Sequence, residues 1–439
     1  MKVLKFGGTS VGSAQRMKEV AKLITDGEQK IVVLSAMSGT TNTLVEISDY
    51  LYKKNPEGAN EIINKLEAKY KQHIDELFAT QEYKQKGLEV VKSHFDYIRS
   101  YTKDLFTLFE EKVVLAQGEL ISTAMVNFYL QECGVKSVLL PALEFMRTDK
   151  NAEPDPVYIK DKLRAQLDLY PDTEIYITQG FICRNAYGEI DNLQRGGSDY
   201  TASLIGAAVN ASEIQIWTDI DGMHNNDPRI VDKTAPVRQL HFEEAAELAY
   251  FGAKILHPTC IQPAKYANIP VRLLNTMDPE APGTLISNDT EKGKIKAVAA
   301  KENITAIKIK SSRMLLAHGF LRKVFEIFES YQTSIDMICT SEVGVSVTID
   351  NTKHLNEILD DLKKYGTVTV DKEMCIICVV GDLEWENVGF EAKALDAMRN
   401  IPVRMISFGG SNYNISFLIR ECDKKVALQS LSDMLFNGK

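Results

Sequence analysis

The sequence predicts an α/β fold with a largely parallel, doubly covered sheet, followed by a C-terminal α+β pair of ferredoxin-like units. Three observations predict it. Short runs rich in Val, Ile and Leu alternate with helical segments over roughly the first 300 residues. These runs are apolar throughout, which is typical of strands buried on both faces of a sheet. Beyond a polar stretch at 288–296, a second pattern of helix and strands occurs twice.

The order of elements in the first part of the chain follows from these runs. Strands are predicted at 3–6, 30–36, 137–140, 174–178, 213–217 and 271–274. Helices are predicted at 14–24, 41–53, 119–131, 199–209 and 243–251. Sheets of this kind bind ligands at the carboxyl ends of their strands. The segments that follow the strands are therefore where a site is expected.

Two changes of pattern divide the chain. Residues 56–111 form charged helical stretches with no clear strand, which predicts a helical insertion on the sheet. The stretch at 288–296 is polar and turn-prone, which is typical of a domain boundary. We therefore predict one domain at 1–295 and a second at 296–439.

The second domain contains a repeat. Gly319-Phe320 opens an amphipathic helix, and Gly389-Phe390 opens another about 70 residues later. Strands are predicted after each helix, at 333–338 and 344–349, then at 401–407 and 413–419. The order strand, glycine turn, helix, strand and strand is the kernel of a ferredoxin-like unit. Two such units predict a small-ligand sensor, and a structural dimerisation module is the alternative.

Composition excludes several classes of protein. The 439 residues include 51 Lys and Arg against 60 Asp and Glu, a formal net charge of −9. Nucleic acid is therefore not expected as a partner, because phosphate-backbone binding needs a basic face. We expect no apolar stretch of the roughly 18 residues that a membrane span needs, and the N-terminus lacks the apolar core of a signal peptide. We expect no membrane association and a cytoplasmic protein.

The seven cysteines are scattered, as is typical of a reducing compartment, and free thiols are expected. Cys375 and Cys378 have the spacing of a redox or zinc pair, but they lie in an apolar run that predicts a buried strand. Residues three apart on a strand point to opposite faces, so core packing is favoured over a shared metal. The seven histidines are equally dispersed, and the sequence predicts no metal site made of side chains.

Four segments at strand ends carry candidate chemistry. The first is KFGGTSV at 5–11, between a strand and a helix. Its two glycines let the backbone approach a phosphate, the helix start offers free N–H groups, and Lys5 adds a positive charge. A tight strand-to-helix turn is the alternative.

The second segment, SAMSGTTN at 35–42, is rich in hydroxyls that suit a small polar ligand, and helix capping explains it equally well.

The third and fourth segments add ion-pairing groups. LQRGGSDYTA at 193–202 places a cation, a glycine pair and an acid at a helix start, which suits binding of a carboxylate or phosphate. Capping of the helix by Asp199 is the alternative.

The fourth segment is WTDIDGMHNNDPR at 217–229, together with FGAKILHP at 251–258. It supplies acids, amides and cations that can hold a ribose and phosphates. An ordinary polar loop remains open as its explanation.

Together these segments resemble the aspartokinase family of the amino-acid kinase superfamily. KFGGTSV, GELIST at 118–123, QGFI at 179–182, RGGSDYTA, WTDIDG, DPR, FGAKILHP and TSEV at 340–343 stand in the order of that family. The resemblance runs almost the whole length, and the paired C-terminal units look like tandem ACT domains. It implies a monofunctional enzyme, because no fused dehydrogenase is expected after Lys439. The reaction it implies is ATP-dependent phosphorylation of the L-aspartate β-carboxylate, the first step of lysine, threonine and methionine synthesis.

The resemblance also implies roles for individual residues. Lys5 is expected to stabilise the transferring phosphoryl group, and Asp199 to orient Lys5. Residues expected to hold ATP, with Mg²⁺ on its phosphates, are Gly7, Gly8, Thr9, Thr218, Asp219, Asp227, Arg229 and Lys254. Arg195 is expected to bind the aspartate α-carboxylate, and Glu119 the ammonium. The remaining residues expected around aspartate are Ser35, Thr41, Phe181 and Ser198.

Feedback inhibition by L-lysine is expected at the C-terminal pair, with threonine as the alternative effector. Residues expected at this site are Met314, Gly319, Phe320, Leu321, Asp336, Ser341 and Glu342. Asp336 and Glu342 are expected on strands facing the turn before the first helix, where acids suit the amino groups of a diamine. A homodimer or homotetramer through the ACT units is implied. Another amino-acid kinase superfamily carboxylate kinase, or a non-catalytic amino-acid sensor, is the alternative function.

Overall fold

The structure, a computed structural model, describes residues 1–103, 105–193, 196–252, 257–311 and 318–437. The chain forms two compact units, Met1–Met223 with Leu256–Asn288, and His224–Ile255 with Asp289–Lys439. The segment at 224–255 thus belongs with the C-terminal residues, although it lies inside the predicted domain 1–295. A boundary drawn at one point of the sequence cannot include such an excursion. The predicted domain limits stay a prediction.

The first unit is built on a sheet with helices between its strands. Its elements are β1 (Lys2–Phe6), α1 (Ala14–Ile24), β2 (Lys30–Leu34), α2 (Thr40–Tyr52), α3 (Pro56–Leu77), α4 (Gln81–Ser100), α5 (Leu108–Glu132), β3 (Ser137–Leu140), α6 (Ala142–Phe145), α7 (Pro156–Asp168), β4 (Ile175–Gln179), β5 (Ile182–Arg184), β6 (Ile190–Asn192), α8 (Gly197–Val209) and β7 (Ile214–Thr218). After an excursion that contains β8 (Gln239–His241) and α9 (Phe242–Tyr250), it ends with α10 (Gln262–Tyr266), β9 (Val271–Asn275) and β10 (Thr284–Ser287).

The strands of this unit pair in the order β3-β4-β2-β1-β7-β9-β10. All these pairs are parallel except β9 with β10. Every residue of β2 and β4 is buried, which requires cover on both faces of the sheet. The predicted doubly covered, largely parallel sheet is confirmed. Its order brings the carboxyl ends of β4, β2, β1 and β7 side by side.

Helix α5 differs from its prediction. It begins at Leu108 rather than at 119, because Thr107 and Glu110 form a capping box at its start. By length and composition α5 is apolar enough to cross a membrane, which corrects the expectation that no stretch of the chain is. The most apolar part of α5 is 83% buried, as in a core helix. α3 and α4 occupy most of the predicted helical insertion.

The second unit contains an antiparallel sheet and several helices. Besides β8 and α9, its elements are β11 (Ile295–Lys310), α11 (Phe320–Ser330), β12 (Ile338–Ser341), β13 (Gly344–Ile349), α12 (Leu355–Lys363), β14 (Thr367–Gly381), α13 (Phe390–Ala397), β15 (Met405–Phe408), β16 (Asn414–Arg420) and α14 (Lys424–Leu435). The strand order is β12-β13-β11-β14-β16-β15. The predicted α+β pair is confirmed.

The two repeats are nested rather than consecutive. β11 and β14 pair along their whole lengths, from Ile295 opposite Gly381 to Lys310 opposite Thr367. β13 pairs only with the second half of β11, and β16 only with the second half of β14. The first repeat is therefore inserted after the first strand of the second. Sequence patterning missed this, because one continuous strand serves both repeats.

Two strand predictions in this unit are wrong in position. The strand predicted at 333–338 begins only at Ile338, because Thr333 N donates to Phe328 O and completes the turn after α11. The strand predicted at 401–407 begins at Met405, after Pro402, which has no N–H for a sheet hydrogen bond.

All seven cysteines carry free thiols, and Cys375 and Cys378 are both buried in β14.

Candidate active site

An ion pair joins the carboxyl end of β1 to the first turn of α8. Lys5 Nζ lies 2.7 Å from Asp199 Oδ1, and the two side chains are 12% and 17% exposed. Asp199 Oδ1 makes no aligned hydrogen bond among the described residues, so the contact is an electrostatic one. An ammonium carries three N–H donors, and Lys5 can therefore turn them toward a ligand while Asp199 holds its position.

The glycine pair after β1 forms a cradle of backbone. A Cβ on Gly8 would stand 2.9 Å from Ala36 O, and one on Gly7 would stand 3.4 Å from Lys5 Nζ. Ser38 N donates to Gly8 O at 3.1 Å, which fixes the loop against the segment after β2. Thr9 follows and is exposed. Backbone N–H groups beside an ammonium, with no side chains between, suit a phosphate.

The start of α8 is fixed by a second close approach. Gly196 has φ +77°, and a Cβ there would stand 1.8 Å from Cys260 Sγ, so only glycine fits. Burial raises the pKa of the Cys260 thiol to about 12, and the negative charge of Asp199 acts in the same direction. Cys260 is therefore an uncharged side chain close to the ion pair. No pattern in the sequence points to this residue, because its contact with Gly196 spans 64 positions of the chain.

Serine side chains connect the ends of two neighbouring strands to α8. Ser35 Oγ donates to Ser198 Oγ at 2.9 Å. Ser122 on α5 donates to Ser35 O at 2.8 Å, and a Cβ on Gly180 would stand 2.3 Å from Ser198 Oγ. The structure thus brings together Ser35 and Ser198, which the sequence placed in separate segments. Hydroxyls held in this way can bind a small polar ligand.

Glu119 on α5 is a buried acid without a cationic partner among the described residues. Its Oε1 accepts from Ala36 N at 3.2 Å, and its Oε2 has no hydrogen-bond partner. Burial raises the pKa of Glu119 to about 8. A ligand ammonium here would pair with the carboxylate and offset its desolvation, which is the chemistry expected of an amine-binding group.

Phe181 lies after β4 in a backbone conformation that side chains rarely adopt, with φ +69°. Thr201 on α8 stabilises it, because Phe181 N donates to Thr201 Oγ1 at 2.9 Å. The ring packs against Gly197, where a Cβ would stand 3.4 Å from Phe181 Cδ2. Sequence reasoning missed Thr201, although this residue lies in the RGGSDYTA segment, because its partner is twenty positions earlier.

Two other predicted residues lie at a helix start and a strand end of the first unit. Thr41 is in the first turn of α2. Thr218 ends β7, the strand beside β1, and its hydroxyl donates to Asp219 Oδ1 at 3.1 Å. Arg195 and Lys254 lie outside the described residues, and their roles stay predictions.

Two predicted nucleotide residues belong to the second unit. Arg229 Nε donates to Asp227 Oδ1 at 2.9 Å, and Arg229 Nη2 to Asp227 Oδ2 at 2.7 Å. This bidentate pair lowers the pKa of Asp227. The Arg229 side chain is 75% exposed and can therefore exchange its partner for a phosphate at little desolvation cost.

The predicted effector residues lie near α11 and β12. Gly319 caps α11 with φ +81°, Phe320 begins the helix, and Leu321 is 37% exposed. Ser341 ends β12, and Glu342 lies in the turn to β13. The expectation that Glu342 lies on a strand is wrong, because the hairpin turns there. Met314 lies outside the described residues.

Asp336 also lies off the strands, two residues before β12, which corrects its predicted position. Its Oδ1 accepts from Lys301 Nζ at 2.7 Å and from Tyr250 Oη at 2.9 Å. Lys301 Nζ also lies 2.9 Å from Asp350 Oδ2. The sequence missed Lys301 and Tyr250, which lie on β11 and α9, far from Asp336 in the chain.

Comparison with known proteins gives consistent matches. The model of the amino acid kinase family matches residues 1–275, and an ACT domain model matches 377–435. The chain is 36% identical to Aspartokinase 1, chloroplastic, of Arabidopsis thaliana, over 99% of this chain and 80% of that protein. It is 32% identical to Lysine-sensitive aspartokinase 3 of Escherichia coli (strain K12), over 99% of both chains.

Two solved structures extend this similarity to the fold. E. coli aspartokinase III in complex with aspartate and ADP, in the R-state, aligns with a TM-score of 0.86 at 32% identity, over 99% of this chain and 100% of that chain. The T-state of that enzyme, in complex with lysine and aspartate, aligns with a TM-score of 0.81 at 32% identity, over 99% of both chains.

Proposed function

The chain belongs to the aspartokinase family and is an aspartate kinase, a phosphotransferase, and from this premise we propose that it transfers the γ-phosphoryl group of ATP to the β-carboxylate of L-aspartate. The product is 4-phospho-L-aspartate, and the reaction is the first step toward lysine, threonine and methionine. The observation that carries the proposal is the Lys5–Asp199 ion pair beside the glycine cradle. The aspartate and ADP bound by the similar E. coli enzyme support it.

The chemistry needs little from the protein besides position and charge. The β-carboxylate of aspartate is an anion at neutral pH, so it attacks the γ-phosphorus without a general base. The bond from the γ-phosphorus to the bridging oxygen breaks, and ADP leaves with that electron pair. Lys5 offsets the negative charge on the phosphoryl oxygens, and Asp199 orients Lys5 for this task.

The nucleotide site is proposed around the same glycine cradle. Backbone N–H groups of Gly8 and Thr9 would bind phosphate oxygens, whereas Gly7, whose N–H donates to Trp217 O at 3.4 Å, would line the cradle. Other residues proposed for the nucleotide are Thr218, Asp219, Asp227, Arg229 and Lys254. Mg²⁺ would be held by phosphate oxygens and water, and when bound it neutralises phosphate charge. Among the described residues, no three His, Cys, Asp or Glu side chains form a cluster placed to hold a metal.

The aspartate pocket is proposed next to it. Glu119 would bind the α-ammonium, and its unpartnered Oε2 and raised pKa support this role. Arg195 would bind the α-carboxylate as a bidentate partner. The hydroxyls of Ser35, Thr41 and Ser198 would complete the pocket, with Phe181 as its apolar wall.

Feedback inhibition by L-lysine is proposed for the second unit. The proposed residues are Met314, Gly319, Phe320, Leu321, Asp336, Ser341 and Glu342. The similarity to a lysine-sensitive enzyme, and to its lysine complex, supports this effector over threonine. Inhibition requires lysine to bind one of two states of the enzyme more tightly. We further propose a homodimer or homotetramer formed through the ACT units, working in the cytoplasm.

One experiment tests the proposal. Release of ADP is measured with L-aspartate or L-glutamate as acceptor, and then with each amino acid of the pathway added in turn. Aspartate-dependent release that L-lysine suppresses is the expected result. Release with glutamate alone would instead indicate another carboxylate kinase, and no release with any acceptor would indicate a non-catalytic sensor. Suppression by threonine but not lysine would overturn the effector while the kinase proposal stands.

A further inference from the structure

The first helix of the helical insertion, α3, lies against two loops that hold proposed substrate groups. These are the β1 loop, residues 7–13, and the β2 loop, residues 35–39. Val11 of the β1 loop and Met37 of the β2 loop are buried in the same hydrophobic core as Ile74 of α3. Polar side chains of α3 also form hydrogen bonds to the β1 loop and to the residue that follows the β2 loop. The insertion can therefore set the position of both loops.

His73 on α3 contacts the β1 loop. Its Nε2 lies 3.3 Å from Gly12 O, and because a carbonyl oxygen only accepts, the hydrogen of this bond belongs to Nε2. Nδ1 lies 2.7 Å from Lys69 O in the preceding turn of α3, which fixes the orientation of the ring. His73 is 9% exposed, so water competes little for the bond to Gly12.

Gly12 connects His73 to the glycine cradle. A Cβ on Gly12 would stand 3.0 Å from Gly8 O and 3.0 Å from Ser38 Cβ. The backbone at Gly12 thus packs directly on Gly8, and Ser38 N donates to Gly8 O at 3.1 Å on the other side. Because close-packed groups transmit small shifts, a displacement of Gly12 would also displace Gly8, whose N–H is proposed to bind a phosphate.

Tyr70 on α3 contacts the start of α2, immediately after the β2 loop. Its Oη lies 3.0 Å from Thr40 Oγ1, and both side chains are buried. The ring of Tyr70 packs against Phe95 on α4 with a centroid separation of 5.8 Å, which holds the hydroxyl in place. Thr40 directly precedes Thr41, which is proposed for the aspartate pocket. Tyr70 therefore fixes the backbone on the aspartate side, and His73 fixes it on the phosphate side.

We propose that Tyr70 and His73 are positioning residues for the phosphorylation of aspartate. Tyr70 would set the aspartate pocket through Thr40, and His73 would set the phosphate cradle through Gly12. This inference rests on the proposed function. The two residues are three positions apart on one helix, less than one turn. General loosening of α3 would therefore disturb both loops, whereas loss of one hydrogen bond should disturb the binding of one substrate.

The test is steady-state kinetics of the full-length protein, with initial rates measured over a range of both substrates. Tyr70→Phe should raise the KM for aspartate about fivefold and change the KM for ATP less than about twofold. This variant should fold, because the ring and its packing on Phe95 remain. His73→Leu should raise the KM for ATP about tenfold and change the KM for aspartate less than about twofold. His73→Gln, whose amide nitrogen can replace Nε2 as donor to Gly12 O, should restore the KM for ATP.

Two matched controls lie on the same insertion. Tyr97→Phe removes a hydroxyl from an exposed position of α4, and Gln72→Leu changes the exposed neighbour of His73. Both should keep the wild-type KM values. Unchanged KM values in Tyr70→Phe and His73→Leu, or equal rises in both KM values in each variant, would overturn the inference.

Binding of ADP, measured by calorimetric titration, tests His73 without turnover. His73→Leu should bind ADP about tenfold more weakly than the wild type, and His73→Gln should bind it as the wild type does. Equal affinities in the Leu and Gln variants would overturn the role of His73. Aspartate-dependent ADP release by the wild type tests the proposed function separately. Absence of release would overturn that function, whereas release with unchanged KM values in the variants would overturn only the positioning roles.

Discussion

Asp199 Oδ1 lies 2.7 Å from the ammonium of Lys5, and this pair connects β1 to the first turn of α8. The two residues are far apart in sequence. Lys5 lies in β1 just before the pair Gly7-Gly8, and Asp199 lies in α8 just after the pair Gly196-Gly197. Both side chains are largely buried, so water screens their attraction less than on the surface. The pair therefore holds one positive charge at the carboxyl end of the sheet, where a phosphate is expected.

Replacement of Lys5 tests the centre of the mechanism. Lys5→Ala should lower kcat by about 100-fold or more, because the charge on the transferring phosphoryl group loses its stabilising cation. Steady-state ADP release measures this. Lys22→Ala, on the exposed side of α1, is the control and should keep full activity. A Lys5→Ala enzyme that is folded by circular dichroism and retains near wild-type kcat would contradict the role.

Glu119 makes stability depend on pH. Its pKa is raised to about 8 by burial, whereas an unfolded Glu titrates near about 4.3. Between these values the folded state binds a proton that the unfolded state does not, so this group's contribution to the free energy of unfolding falls as pH rises. Glu119→Gln should remove that fall.

Urea denaturation at about pH 6 and about pH 9 measures the effect of Glu119. The free energy of unfolding of Glu119→Gln, relative to the wild type, should be higher at the alkaline pH. Glu46→Gln, at an exposed position on α2, serves as the control. An equal difference between Glu119→Gln and wild type at both pH values would show that the pKa of Glu119 is not raised.

Thr201 is expected to act through Phe181. Thr201→Val removes the hydroxyl that accepts from Phe181 N, so the strained backbone at Phe181 should relax and the aspartate pocket lose its wall. The KM for aspartate should rise by about tenfold with a smaller change in the KM for ATP. Thr201→Ser keeps the hydroxyl and should restore the aspartate KM. Equal KM values in the Val and Ser variants would refute this positioning role.

Arg195 is predicted from the sequence alone. Arg195→Ala should chiefly raise the KM for aspartate, because a bidentate contact to the α-carboxylate exists in the ground state as well as in the transition state. Initial rates over a range of both substrates measure this. If only the KM for ATP changes, Arg195 belongs to the nucleotide site instead.

Asp336 is expected to decide the response to lysine. Asp336→Ala should relieve lysine inhibition, because the effector loses an acid partner, and should spare the rate without lysine. Inhibition curves for L-lysine at fixed aspartate measure the shift. Asp360→Ala, an exposed acid on α12 outside the proposed site, is the control. An Asp336→Ala enzyme that lysine inhibits as strongly as the wild type would exclude Asp336 from the effector site.

The sequence determined the elements that local pattern controls. Apolar runs located β1, β3, β4, β7 and β9 closely, because a strand buried on both faces must be apolar at every position. Glycine pairs marked the turns at Lys5 and Asp199, since only glycine allows such close backbone approach. The order of the motifs then predicted the family, which the comparisons confirmed.

Only the tertiary structure decided which residues meet. The unpartnered oxygen and raised pKa of Glu119 come from burial, which depends on how α5 packs, and no local pattern of the sequence encodes it. The contact of Cys260 with Gly196, and that of Asp336 with Lys301 and Tyr250, join residues from separate elements. Side-chain periodicity reports which face of an element is buried but not what lies against it, because that depends on how the elements pack in space.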